Sequence, residues 1–171
     1  GAYAVQLSRE AHGQDSSVVK PPQLQGHILE QTVLPEDTND KNVLHAIVKN
    51  LAELVAFKLR KRRQVADKIR LEIHYTDGHQ RIRTGRIIRI DDRSVFAVCR
   101  RLFDKANERR NRVRTILLDV SNFRPYVNQE NLFPTAEIRN MAMSRAVEKV
   151  RLKYGARSLQ TADVFQALGR V

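Results

Sequence analysis

The hydrophobic alternation is cleanest between residues 68 and 75. Ile69, Leu71, Ile73 and Tyr75 alternate with Lys68, Arg70, Glu72 and His74. A period of two over eight residues predicts a strand with one buried and one polar face. Thr76-Asp77-Gly78-His79 then carries an Asp-Gly turn signal, so residues 80–90 are expected to return as a hairpin partner. In that strand Ile82, Thr84, Ile88 and Ile90 fall on one face, and Arg81, Arg83 and Arg89 on the other. Arg86 and Ile87 break the phase beside Gly85, where a bulge or a close backbone approach is expected.

On either side of this hairpin the period changes to that of a helix. Val43/Leu44, Ile47/Val48, Leu51, Leu54/Val55 and Phe57/Leu59 recur every three to four residues up to about Arg62. Asp37, Thr38, Asn39 and Asp40 are its N-cap candidates. Asp91, Asp92 and Ser94 are placed to cap a second helix over 93–107, with Val95/Phe96, Cys99, Leu102/Phe103 and Ala106 as its apolar stripe. Residues 26–34 alternate imperfectly and read as a first strand ended by Pro35; RVRTILLDVSNF, 112–123, reads as the last. The order strand, helix, strand, strand, helix, strand predicts an α+β fold, βαββαβ. This is a split βαβ arrangement, a four-stranded antiparallel sheet with both helices on one face. The other face is left open, and the phases above put arginines on it.

The flanks follow other patterns. Residues 3–11 predict a short helix ended by Gly13, looking like the end of an element whose polypeptide continues upstream. Residues 12–25, with paired Ser and Pro21-Pro22, have a linker composition. Residues 124–135 lack a period and are expected to be loop. A third helix is expected over 136–154, with Ile138, Met141, Val147, Val150 and Tyr154 on its apolar side, then a short helix over 161–168. The expected division is 1–25, 26–127 and 128–171, the last a helical extension.

Charge changes the picture most. Lys58 to Arg114 holds 19 Lys and Arg against 7 Asp and Glu, an excess of 12, which equals the net charge of the whole 171-residue chain. Such clustering on folded segments points to a polyanion, most commonly a nucleic-acid backbone. Lys68, Arg70, Arg81, Arg83, Arg86, Arg89, Arg112 and Arg114 are the candidate phosphate contacts, with backbone amides near Gly85 and, more weakly, the helix end Lys58–Arg63. The bland alternative is a face kept charged for solubility, which needs neither clustering nor one sign. Without aromatics to stack bases and without a recognition helix, the face is expected to grip backbone and not to read bases.

Little else carries chemistry. Asp91-Asp92 and Glu36-Asp37 precede helices, where capping is the ordinary role of such pairs. The five histidines show no metal-ligand spacing, and Cys99 lies on an apolar stripe. One cysteine forms no internal disulfide, and no apolar run approaches the roughly 20 residues of a membrane span. No catalytic residues, cofactor, metal, membrane or small-molecule substrate are expected for these residues, and the compartment is expected to be the cytoplasm. Gln129-Glu130-Asn131-Leu132-Phe133 has the composition of a peptide plug for a hydrophobic pocket, or of a loop packing on its own domain.

Taken together, the segments resemble the C-terminal, little finger region of a bacterial Y-family translesion DNA polymerase of the DinB (DNA polymerase IV) type. AYAVQLSREAHGQDSSVVKPP is similar to the end of that family's thumb and its tether. LPEDTNDKNVLHAIVKNLAELVAFKLRKR, VADKIRLEIHYTDG, RIRTGRI and VRTILLDVSNFRP resemble successive parts of the little finger, and AVEKVRLKYGARSL its C-terminal helix. The resemblance implies a fragment that lies along duplex or template–primer DNA. It also implies magnesium and nucleotidyl transfer in a palm outside these residues, and a role in DNA damage repair. It further implies a sliding clamp as partner through Gln129, Leu132 and Phe133, with Glu130 standing where the family's motif usually has Leu. Two other readings stand beside it: an RNA-binding module on a split βαβ sheet, and a polymerase-like accessory protein acting mainly through a clamp.

Overall fold

The computed structural model describes residues 2–14, 26–126 and 136–168. In chain order they form α1 (Ala2–Ala11), β1 (His27–Thr38), α2 (Lys41–Arg62), β2 (Gln64–Tyr75), β3 (Gln80–Gly85), α3 (Asp92–Ala106), β4 (Val113–Pro125), α4 (Ala136–Tyr154) and α5 (Ala162–Leu168). Residues 15–25 of the expected linker and the Gln129–Phe133 motif lie outside the described residues.

The strands form one antiparallel sheet in the order β1-β4-β2-β3. β4 lies between β1 and β2, and β2 lies between β3 and β4. Each helical crossover, β1-α2-β2 and β3-α3-β4, therefore joins parallel strands split by a third, as the element order predicted. Ile69, Leu71 and Ile73 of β2 face the helices with Ile116, Leu118 and Val120 of β4, all fully buried. Leu44, Ile47, Val48, Leu51, Val55 and Leu59 of α2 close over them, beside Val95, Cys99, Leu102 and Phe103 of α3.

Several boundaries differ from expectation. β1 runs through Pro35 to Thr38. It is an edge strand whose register shifts between Val33 and Thr38, and such a place tolerates a residue with no N–H to donate. Of the acidic run only Asp40 caps α2, accepting from Asn42 N at 2.8 Å; Asp37 instead pairs with Arg114. Asp91 caps α3, accepting from Ser94 N at 2.9 Å. β2 begins at Gln64 because β4 continues to Pro125 and pairs with it. β3 stops at Gly85, where a Cβ would lie 3.3 Å from both methyls of Leu102. This is the close approach anticipated there, between a strand and the helix crossing it.

The C-terminal helices pack on the helical layer. Val164 is fully buried, and Lys49 of α2 binds Asp163 of α5 at 2.8 Å. Arg151 of α4 is 5% exposed and donates to Glu53 of α2 at 2.5 Å and to Leu159 O at 3.0 Å. Asp92 at the start of α3 accepts from Arg60 at 2.7 Å and lies 3.5 Å from Arg151. Three helices thus meet at one ionic joint. Val147 and Val150 are half-buried as expected, but Tyr154 is exposed, with Lys153 Nζ 5.1 Å from its ring.

Candidate nucleic-acid interface

Residues directly opposite on paired strands share a face of the sheet. Lys68, Arg70, Glu72 and His74 lie opposite Ser121, Asp119, Leu117 and Thr115 of β4. His27, Leu29, Gln31 and Val33 of β1 continue this open face, and Ile82 and Thr84 of β3 complete it. It therefore carries two cations, Lys68 and Arg70, against two carboxylates, Glu72 and Asp119. Glu72 accepts from both Arg70 and His74, the latter at 2.7 Å. Leu29, Val33 and Ile82 are exposed here. The middle of the open face is neutral and partly apolar.

This corrects the expectation that eight cations converge on it. Arg81 and Arg83 lie opposite the buried Ile73 and Leu71, so they leave β3 on the helix side. β3 is the edge strand, and there the long arginine stems reach past the end of α3; Arg83 meets Glu108 at 2.9 Å. Ile82 takes the open side in their place, and Ile88, beyond the strand, is exposed while Ile87 is buried. Arg86 and Arg89 follow the end of β3, Arg86 bound to Asp67. Arg112 precedes β4. Arg114 is the residue that the register skips between Thr115↔His74 and Val113↔Tyr75, and it pairs with Asp37 at 3.1 Å. That bond raises the Arg114 pKa further above its ordinary value.

The positive charge instead rims the sheet. Where β2 begins, α2 ends in Lys61, Arg62 and Arg63, and Arg86 and Arg124 share one carboxylate, Asp67, at 3.1 and 3.0 Å. The hydrogen bond from Arg86 leads in holding Asp67 below the usual carboxylate range, with Arg124 adding to it. Arg62 lies 5.7 Å from the Phe123 ring centroid. Where β2 ends, Arg109 donates to Asp77 at 2.8 Å and lies 6.0 Å from the Tyr75 ring, beside the exposed Arg110 and Arg112. At about 3.4 Å per residue the two clusters stand roughly 27 Å apart along β2 from Asp67 to Tyr75. Sequence reasoning missed Arg124 because its strand was expected to end at Phe123; its approach to Asp67 becomes visible only with the register of β2 and β4.

Burial pushes the Cys99 thiol up to about 12, so it stays protonated. Among the described residues no group of three or more His, Cys, Asp or Glu is placed to hold a metal ion, and no helix is long and apolar enough to cross a membrane. A cavity of about 300 Å³ beneath α4 is lined by Lys49, Glu53, Asp92 and Arg151, whose charges are already paired, and by Phe96 and Val147.

Residues 26–132 match the model of the impB/mucB/samB family C-terminal domain. The chain is 28% identical over 169 residues to a DNA polymerase IV of Dehalococcoides mccartyi (strain CBDB1), a match covering 97% of this chain and 43% of that protein. It is 26% identical over 177 residues to the putative UV-damage repair protein UvrX of Bacillus subtilis (strain 168), covering 99% and 42%. Among solved structures it is similar to a complex of beta-clamp processivity factor and the little finger domain of PolIV, with a TM-score of 0.47 and 18% identity, over 64% of this chain and 99% of that one. The chain spans less than half the length of the curated relatives it matches. The family match takes in the whole four-stranded sheet and both helices that cover it. The chain therefore belongs to the impB/mucB/samB family and carries its C-terminal domain.

Proposed function

We propose that this domain holds duplex or template–primer DNA by its phosphates, without reading sequence, as part of a translesion polymerase. The observation that carries this is the division of charge: a neutral open face between two basic clusters roughly 27 Å apart along β2. A major groove is about 12 Å wide, so the clusters reach beyond it to the backbones on either side, with Leu29, Leu117 and Ile82 over the groove. Lys68 and Arg70 on the face, Arg86, Arg89 and Arg124 at one end, and Arg112 and Arg114 at the other are the phosphate contacts. Gly85 lets α3 lie close on β3, and Arg81 and Arg83 extend the edge. In their resting ion pairs Arg70 and Arg114 hold Glu72 and Asp37, carboxylates that a phosphate would replace.

The whole protein is then a magnesium-dependent DNA polymerase of the cytoplasm acting in damage repair. Its relatives named DNA polymerase IV and UV-damage repair protein support that reading. The magnesium-binding carboxylates and the nucleotidyl transfer belong to a palm outside these residues. Gln129, Leu132 and Phe133 are the proposed contact with a bacterial sliding clamp, on the strength of their pattern.

The test is fluorescence anisotropy with two labelled duplexes of unrelated sequence and a single-stranded RNA. The isolated domain is expected to bind both duplexes with Kd on the order of 10⁻⁴–10⁻⁶ M at physiological salt. Arg110→Glu with Arg112→Glu should weaken both equally. A loss confined to one sequence argues for base readout, and preference for the RNA favours the RNA-binding reading. That reading needs exposed aromatics; from Lys68 to His74 and on the strands opposite, the open face offers only imidazoles.

A further inference from the structure

Asp67 stands in the middle of the basic end, where electrostatics alone would leave a carboxylate out. Its Oδ1 accepts from Arg86 Nε at 3.2 Å, from Arg86 NH2 at 3.1 Å and from Arg124 Nε at 3.0 Å. The two arginines come from different strand ends: Arg86 follows β3, and Arg124 is the penultimate residue of β4. Both remain well exposed. One carboxylate thus binds two guanidiniums from different strand ends, and their outer N–H groups stay available. The surroundings are stitched in the same way. Arg63 takes a left-handed conformation, φ 52°, and its carbonyl accepts from Tyr126 N at 3.0 Å. That bond ties the end of α2 to the end of β4, next to Arg124, while Arg62 leans over Phe123. At the other end of the sheet Arg109 and Arg114 each have a carboxylate of their own.

We infer that Asp67 is a positioning residue for nucleic-acid binding, holding Arg86 and Arg124 at a fixed separation so that they engage neighbouring phosphates of one strand. The inference rests on the DNA reading and goes beyond it by giving a negative group a role in binding a polyanion. Pre-organisation lowers the ordering cost of two long side chains, and that gain outweighs the repulsion of one exposed carboxylate screened by salt. Arg86 and Arg124 contact the phosphates; Asp67 acts only through them.

The two accounts differ in sign. If Asp67 were merely an unfavourable charge, Asp67→Asn would tighten duplex binding. As a positioning residue, its replacement weakens binding by about two- to fivefold, the range of an exposed ion pair, although the protein gains net positive charge. The experiment uses the full chain and measures anisotropy of a labelled duplex with wild type, Asp67→Asn, Asp67→Glu and Asp104→Asn. Asp104 lies on α3, paired with His45 away from the sheet, and reports the effect of removing a carboxylate as such. Arginine Nε–H exchange measured by NMR adds a readout that global stability does not move. Weaker binding by Asp67→Asn, partial recovery by Asp67→Glu, no weakening by Asp104→Asn and faster Nε–H exchange at Arg86 and Arg124 are expected. Wild-type binding together with equal or tighter binding by Asp67→Asn overturns the inference alone. Absence of salt-dependent duplex binding by the wild type overturns the DNA reading, and the inference with it.

Discussion

Arg151 donates to Glu53 at 2.5 Å and Arg124 to Asp67 at 3.0 Å, but the first pair of side chains is 5% and 9% exposed and the second 49% and 35%. The chemistry is the same and the roles are opposite. Under α4 the charges are cut off from water, so each depends on its partner for solvation, and the joint of Arg60, Glu53, Asp92 and Arg151 holds three helices together. At the end of the sheet, water and salt compete with every pair, so the pairs add little to stability and leave the outer faces of the guanidiniums open to a phosphate. Burial decides which arginines are structure and which are surface for a partner.

The largest expected effect breaks the buried side. Arg151→Ala leaves Glu53 buried without its partner and should cost about 3–5 kcal/mol in denaturant unfolding. Burial already raises the Glu53 carboxyl above its ordinary value, outweighing the opposing pull of Arg151. A raised carboxyl favours the folded state at low pH, and that contribution is lost as pH rises through the folded value. The deficit of Arg151→Ala should therefore be smaller near pH 4 than near pH 7. Replacing Arg151 and Glu53 together by Met and Leu should recover most of the loss, since an apolar pair of similar volume fits the same space.

Next comes the exposed side. Arg86→Glu with Arg124→Glu should weaken duplex binding at least about tenfold, equivalent to about 1.4 kcal/mol, with a thermal midpoint close to wild type. A large loss of stability would show that the two clusters do not differ as burial implies. The smallest effect lies between them. Burial opposes ionisation of Asp163, yet its hydrogen bonds, that from Lys49 foremost, bring it down to about 2. A depressed carboxyl stabilises above its ordinary value and loses that contribution as pH falls through the folded one. Amide exchange in α5 should accelerate between about pH 4 and pH 2, ahead of the sheet.

The same contrast explains what the sequence made legible. β2 was clear because Ile69, Leu71, Ile73 and Tyr75 are all buried on one side and polar residues alternate without a break. In β3 hydrophobicity is the only local guide, and it points to the wrong phase. An edge strand covered by the end of one helix can place Arg83 inward and Ile82 outward, and only its register with β2 reveals that. The role of Asp67 is hidden from the sequence for a similar reason, as its partners lie 19 and 57 residues away. Nothing local to Arg151 says that Glu53, 98 residues earlier, will bury it. The excess charge itself was visible at once, but its placement on a rim and not a face was a tertiary fact.

The central claim is that exposed cations around a neutral face bind phosphate backbones, and the salt dependence of duplex binding tests it most directly. With about four phosphates neutralised, log K should fall with log salt at a slope of roughly −3.6, the same for two unrelated sequences. A slope near zero, or slopes that differ between the sequences, would contradict it.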